Sequence, residues 1–524
     1  MTRRAPRARF GAWRRVGLGW GTFLWAGLLL ALAFYQRTPG YMDEAYYWVV
    51  GRTWAAGQGL REPFLWNYLD DPAGVPHPAG AYWQPLPALL AGLAAIWPRL
   101  PFVLLAALLP WLTRRLADAW DASPQAGHWA ALWAAWPGFY LAYLPAVDGF
   151  APLFVLGAVY WAWLPRLWQE PTPARRWAGL GVLVALVHLT RAEGPLWLLG
   201  TLALAWAAPA RDRRGSRLAW VLLGYAAVMA PWWWRNSLVW GAPWPPGASR
   251  ALWFTHYNDL FYYPPADLTP ARWWAQGWAA IVRDRLWALR LNAQTALAVH
   301  GLVVLGPLML WGAWRQRRRP VTRAALALYG ALAVLMTVVF PFAGARGGFF
   351  HSVAGLQPLL WVWAGQGFEA ALAWAAARRG WNLPTARRVL GLGLTVLLAG
   401  LTLTVTAARL RAWPEPAARY RALWAAWQQA ASPAAVDGPV LVANPPLWAW
   451  VTGRPALVTP SGGPEAVTAV ARRYAARGLI VEGDAHPDNL AAWWAEPGPR
   501  AGWRYLGPSP TGEAQLYEFT AGSR

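Results

Sequence analysis

The stretch RWAGLGVLVALVHLTRAEGPLWLLGTLALAWAAPARDRRGSRLAWVLLGYAAVMAPWWWRN, residues 176–236, decides the class of fold. It holds three apolar runs, 176–189, 195–210 and 217–234, cut by two short polar turns. The turn RAEG (191–194) carries one Arg and one Glu, whereas RDRRGSR (211–217) carries four Arg. Apolar runs of roughly 17–25 residues cross a bilayer as helices, and arginine collects on the cytoplasmic side of the membrane. The runs therefore read as three membrane helices, with 211–217 inside and 191–194 outside.

The same pattern extends in both directions. The chain has 524 residues, of which 57% are hydrophobic and 14% charged, against about 25% charged in soluble domains. Eleven spans are predicted, near 16–35, 98–113, 127–144, 149–165, 176–189, 195–210, 217–234, 294–314, 323–342, 350–372 and 388–408. The segments placed inside, with their adjoining span ends, hold 24 arginines, and the three short outside turns hold two. This asymmetry predicts a cytoplasmic N-terminus. It puts the loops 36–97 and 235–293 outside, with the tail 409–524. Three parts follow: a basic cytoplasmic segment 1–15, a transmembrane domain 16–408, and an extracytoplasmic domain 409–524. The apolar stretch 82–97 is too short to span and reads as an interfacial or re-entrant helix. The first apolar run leads into no small-residue cleavage site, so it reads as a span rather than a signal peptide.

The tail has a different texture. PVLVAN (439–444), PALVTP (455–460) and GLIVEG (478–483) are short β-like runs alternating with helix-like 464–477 and 487–496. QLYEF (515–519) predicts a last strand, and together these describe a small α/β domain. The expected fold is an all-α polytopic membrane protein with a C-terminal α/β extracytoplasmic domain.

Composition excludes several chemistries. There is no Cys, hence no disulfide framework or thiol nucleophile. All 47 basic residues are Arg, which excludes Schiff-base lysines and the phosphate loop ending in GK[ST]. The net charge of +23 sits in short runs between apolar stretches rather than on one soluble face, so no nucleic-acid partner is expected. The partner it does imply is membrane lipid. No internal repeat is visible, which weighs against a transporter built from related halves.

Candidate functional residues gather in the outside segments. Asp43 and Glu44 open a helix-like segment after the first span, where the helix dipole favours acids. Asp43 shares a helix face with Tyr46, Tyr47 and Val50, and an acid among aromatics at a membrane surface is suited to act as a general base. Asp148 is the only charge between Asp121 and Arg166. It reads either as the N-cap of the next span or as a functional acid at the membrane rim. Arg191 and Glu193 form either a local ion pair or part of an anion site. Arg235 and Arg346 are candidate phosphate ligands, with snorkelling as the plain alternative for Arg235. His256, in WFTHYNDLFYYPP (253–265), lies among rings with hydroxyl tips. His351 lies inside an apolar helix, where a neighbour's hydrogen bond is the plainer role. Tyr82 and Gln84, in YWQPL, are further candidate substrate contacts. No metal-ligand set has regular spacing.

These motifs resemble the GT-C glycosyltransferases, in the protein O-mannosyltransferase and aminoarabinose-transferase group. The resemblance rests on DEAYY after span one, WQPLPALLAG before span two, AVDGFAPLF, LTRAEG and PWWWRNSLVWGAPWPP, over about residues 15–375. It implies inverting transfer of a sugar from a polyprenyl-phosphate donor to a protein, lipid or glycan acceptor. Asp43 matches the acid expected to deprotonate the acceptor. Glu44 and Asp148 match acids that orient the acceptor and the site, and Arg191, Arg235 and Arg346 are candidates to neutralise the leaving phosphate. Many relatives carry Lys in a KPPL-like element where this chain has WQPL, so Gln84 replaces a charge. Relatives differ in metal use, which leaves a divalent metal open. The alternatives are a lipid or glycan transporter and a non-catalytic subunit of an envelope glycan assembly.

Overall fold

The computed structural model describes residues 13–169 and 173–520. Most of the expected N-terminal basic segment, up to residue 12, lies outside the described residues. Helix α1 (Trp13–Tyr35) is followed by α2 (Met42–Ala55) and the short α3 (Leu86–Leu93). The helices Phe150–Gln169, Trp177–Thr190, Gly194–Ala207 and Arg214–Trp240 match their predicted spans to within a few residues. Two of them, Trp177–Thr190 and Arg214–Trp240, cross so closely that Gly181 and Gly224 leave no room for a Cβ against the carbonyls of Val221 and Ala178. Such small-residue contacts are how helices associate where burial from water gives no driving force. Among the described residues, four helices are long and apolar enough to cross a membrane.

Three predicted spans are broken. The helix expected over 127–144 ends at Ala134, and a single 3-10 turn, Gly138–Tyr140, follows it. Pro137, left-handed Gly138 and Pro145 account for the stop. The span expected over 294–314 begins earlier, as the helix Gly277–Thr295, and breaks at 301–305, where Leu302 and Val303 both have positive φ. The span at 350–372 restarts at Gln357–Pro358, Pro being well placed in a first turn. Apolar content registers all three as continuous because a break inside a bundle needs no polar residues.

Among the described residues there are ten strands: β1 (Arg61–Glu62), β2 (Phe64–Leu65), β3 (His77–Pro78), β4 (Tyr262–Tyr263), β5 (Val440–Val442), β6 (Ala456–Val458), β7 (Ser461–Gly462), β8 (Gly478–Glu482), β9 (Trp503–Pro508) and β10 (Ala514–Phe519). The four strands predicted in the tail are β5, β6, β8 and β10. They lie in a sheet of order β2-β6-β5-β8-β10-β9. The strands β6, β5 and β8 are parallel, and β10 runs antiparallel to both β8 and β9. Two members of this sheet were not legible in the sequence: β9, and β2, which comes from the loop between α2 and α3.

That loop has its own aromatic core. Trp66 and Trp83 stack at 3.8 Å, with Tyr46 edge-on to both. His77 is clamped between Asp70 (2.8 Å) and Glu62 (3.6 Å). Burial alone would lower its pKa, but the bonds to the two carboxylates hold it up at about 10.

Candidate active site

The site grows from the first turn of α2. Consecutive helical residues point about 100° apart, so the neighbours Asp43 and Glu44 enter different environments. Glu44 turns inward and is fully buried. It pairs with Arg99 at 2.6 Å and accepts hydrogen bonds from the backbone N–H groups of Gly40 (2.9 Å) and Val147 (3.2 Å). Arg99 in turn donates to the carbonyls of Thr38 and Pro145. Its guanidinium lies between the rings of Trp48 and Trp413. Glu44 thus bolts α2 to the bundle, and its oxygens face these partners rather than an open site.

Asp43 faces the other way, towards Asp148 and His351. Ligand atoms of these three side chains lie within 4.8 Å of one another. Asp148 follows the broken span; Tyr41 Oη donates to its Oδ2 at 2.7 Å, and the Gly149 N–H donates to Oδ1. Asp148 Oδ1 therefore accepts from its own neighbour just before the next helix, which starts at Phe150, while Oδ2 meets Tyr41 and His351. His351 Nδ1 lies 2.9 Å from the Gly347 carbonyl, which can only accept, so Nδ1 carries the proton. Its Nε2 then faces Asp148 Oδ2 at 3.2 Å. Two acceptors at that distance need a proton or a metal ion between them.

Environment separates the two acids. Burial, with the charge of Asp148, pushes the Asp43 carboxyl up to about 6, against the pull of His351 and Arg191. Burial would also raise Asp148, but His351 and the hydrogen bonds from Tyr41 and Gly149 outweigh it and hold Asp148 below the usual carboxylate range. One acid is poised near neutrality and the other stays ionised, a division of labour typical of acid–base sites.

The remaining candidates fall into three groups. Arg191 forms a two-point ion pair with Glu193 (3.2 and 2.8 Å), and Ser352 Oγ donates to Glu193 at 2.6 Å. The local-pair reading is thus realised, while the charge of Arg191 still acts on Asp43. Tyr82 lies in the fields of Tyr257, Arg191, Glu193 and Asp43. Arg346 lays its guanidinium 4.4 Å from the Tyr257 ring centre, and Tyr257 lies in the fields of both Asp43 and Arg346. Among the described residues Arg346 has no carboxylate partner.

Arg235 and Gln84 sit elsewhere, behind α2. Arg235 is held between Trp232 and Trp240 and donates to the Leu60 carbonyl at 3.2 Å. Gln84 lines a small crevice with Tyr46, Leu60 and Trp232, and its buried Oε1 has no partner among the described residues. His256 is half exposed and closes a turn through Asp259 at 2.8 Å, where Arg272 also binds. Its geometry is that of a capping box.

Sequence reasoning missed Tyr41, Arg99, Tyr257 and Ser352. Arg99 did carry a signal, being a lone charge between apolar stretches, the same cue that singled out Asp148. The sequence shows no metal-ligand set of regular spacing and leaves a divalent ion open, and the structure supplies a candidate set. Asp43, Asp148 and His351 come from three separate segments, so no spacing along the chain could reveal them.

The helical bundle and the C-terminal sheet together have the fold of the GT-C glycosyltransferases, and the chain is a helical membrane protein. No family model matches the sequence, and no curated protein matches it. Among solved structures it is similar to ArnT from Cupriavidus metallidurans at 14% identity, over 96% of this chain and 98% of that one. The TM-score is 0.57 for the apo state and 0.53 for the form bound to undecaprenyl phosphate. The archaeal oligosaccharyltransferase AglB from Archaeoglobus fulgidus, in complex with an inhibitory peptide and a dolichol-phosphate, matches at 14% identity and TM-score 0.54, over 96% of this chain and 75% of that one. The Archaeoglobus fulgidus oligosaccharyltransferase complex with Zn and sulfate matches at 14% and 0.52, over 93% and 72%. At such identities the likeness is one of fold.

Proposed function

We propose that this chain is an inverting membrane glycosyltransferase. It moves a sugar from a polyprenyl-phosphate donor to an acceptor hydroxyl on the extracytoplasmic side. The reading includes eleven spans, a cytoplasmic N-terminus and an extracytoplasmic domain from about residue 409. The observation that carries it is the Asp43 carboxyl, raised to about 6 and set beside Asp148 and His351 at the end of the bundle that bears the external loops. The polyprenyl phosphates bound by ArnT and AglB support the donor class.

In this reading the acceptor oxygen attacks the anomeric carbon and its proton passes to Asp43. The sugar–phosphate C–O bond breaks, and its electron pair leaves on the polyprenyl phosphate. Asp148, held by Tyr41 and His351, keeps a fixed negative charge beside the forming oxocarbenium centre. Arg346 meets the charge that grows on the departing phosphate. Arg346→Ala is expected to raise the donor KM and lower kcat/KM by about 10²–10³-fold, with Arg346→Lys recovering part of it. Radiolabelled polyprenyl-phosphate sugars, offered one at a time to the purified chain, test the reading. Absence of transfer from every donor would sink it.

Two carboxylates and an imidazole suit a divalent ion such as Zn²⁺ or Mn²⁺. Asp43, Asp148 and His351 are the residues that would hold it, their ligand atoms lying within 4.8 Å of one another. Such an ion would act as a Lewis acid on a substrate oxygen. If it is resident, prolonged chelation abolishes transfer and lowers Tm, and His351→Ala removes the bound metal on elemental analysis. A chelated protein with unchanged turnover and Tm excludes it.

A further inference from the structure

The tail's sheet does not stand by itself. β2 of the first external loop runs parallel to β6 as its edge strand, and β4 of the second external loop pairs with β7. Side chains tie the same seam. Ser461 Oγ donates to the Asn258 carbonyl at 2.6 Å, Tyr474 Oη to the Pro72 carbonyl at 2.9 Å, and Arg473 pairs with Asp71 at 2.7 Å. Ala45 of α2, two residues from Asp43, is buried with Tyr420, Leu447 and Trp448 of the tail. Strands of two residues are too short to persist alone, so these loops depend on the tail for their place.

β4 follows directly on the 3-10 turn Tyr257–Phe261. The β4–β7 pairing therefore decides where Tyr257 stands, and the Tyr257 ring carries the Arg346 guanidinium. We infer that the C-terminal domain is a positioning element of the site: β7, through Ser461 and Gly462, holds Tyr257 and thereby Arg346 beside the Asp43 group. The inference rests on the transferase reading, in which Arg346 grips the donor phosphate. A tail that only stabilises the chain would change the amount of folded protein and leave the affinity of the folded fraction alone.

Gly462 offers a way to open the seam without touching the site. Its φ is 135°, and a Cβ there would collide with the Tyr263 carbonyl. Full-length Gly462→Ala is expected to lose amide-exchange protection over residues 254–263. It is also expected to bind undecaprenyl phosphate about tenfold to a hundredfold more weakly, as a displaced grip should, with kcat at saturating donor little changed. Ser461→Ala should show the same change in smaller measure.

Because the chain has no Cys, a second arm is available should Gly462→Ala fail to fold. Tyr262 and Ser461 are register partners, so Tyr262→Cys/Ser461→Cys can be crosslinked across the seam. The oxidised form should bind undecaprenyl phosphate as the wild type does, and the reduced form more weakly. A loop that must lift for binding gives the reverse order and overturns the inference. So does Gly462→Ala with lost protection but wild-type affinity, and so does unchanged protection in both single variants. Wild-type protein that neither binds the lipid phosphate nor transfers any sugar removes the transferase reading itself, and the inference with it.

Discussion

Asp43→Asn is expected to lower turnover by about 10²–10⁴-fold, the usual contribution of a positioned general base, while leaving the donor KM within a few-fold of wild type. The substitution keeps the shape of the side chain and removes the proton acceptor. For the wild type, kcat/KM should fall one decade per pH unit below about 6, because only ionised Asp43 can take the acceptor proton and its carboxyl is raised to that value. Asp148 adds no second limb in this window, being held below the usual range. The stability sign is opposite to the activity sign. An acid whose folded pKa is raised binds its proton more tightly in the folded state than in the unfolded one, so it weakens the fold as pH rises from about 4 through about 6. Asp43→Asn removes that cost, and its Tm at pH 8 should equal or exceed that of the wild type. A dead variant with lowered Tm would assign Asp43 to structure instead.

The second large effect is on stability. Arg99→Met leaves Glu44 as an uncompensated charge at a site where both side chains are almost wholly buried, 1% and 0% exposed. Breaking a buried pair from one side costs about 3–5 kcal/mol, enough to unfold many domains outright. Replacing both partners, Arg99→Met with Glu44→Gln, should recover part of the loss, since the remaining amide can still accept from Gly40 and Val147. Thermal unfolding in detergent measures both. If the single variant is within about 1 kcal/mol of wild type, the range of an exposed pair, then water reaches Glu44 and the bolt described above is not one.

Apolar run length and residue alternation are local properties. The class of fold and four tail strands could therefore be read along the chain. Asp43, Asp148, Arg191, Glu193, Arg346 and His351 were likewise legible as lone polar groups that an apolar neighbourhood makes costly. Their arrangement was not. Asp43 and Glu44 are adjacent and chemically alike, yet one meets Arg99 and backbone donors while the other meets Asp148 and His351. Arg235 and Arg346 looked equivalent, but packing sends Arg235 behind α2 and leaves Arg346 on Tyr257.

The sequence by itself determined that this is a helical membrane protein with lone acids and arginines among apolar runs and a small α/β tail. Only the tertiary structure decided which acid is buried as an anchor, which meets Asp148 and His351, and that the tail borrows strands from the segments holding β2 and β4. The reason is the range of the forces involved. Partition into the membrane acts on each segment separately, whereas burial, ion pairing and strand pairing depend on segments brought together from hundreds of residues apart.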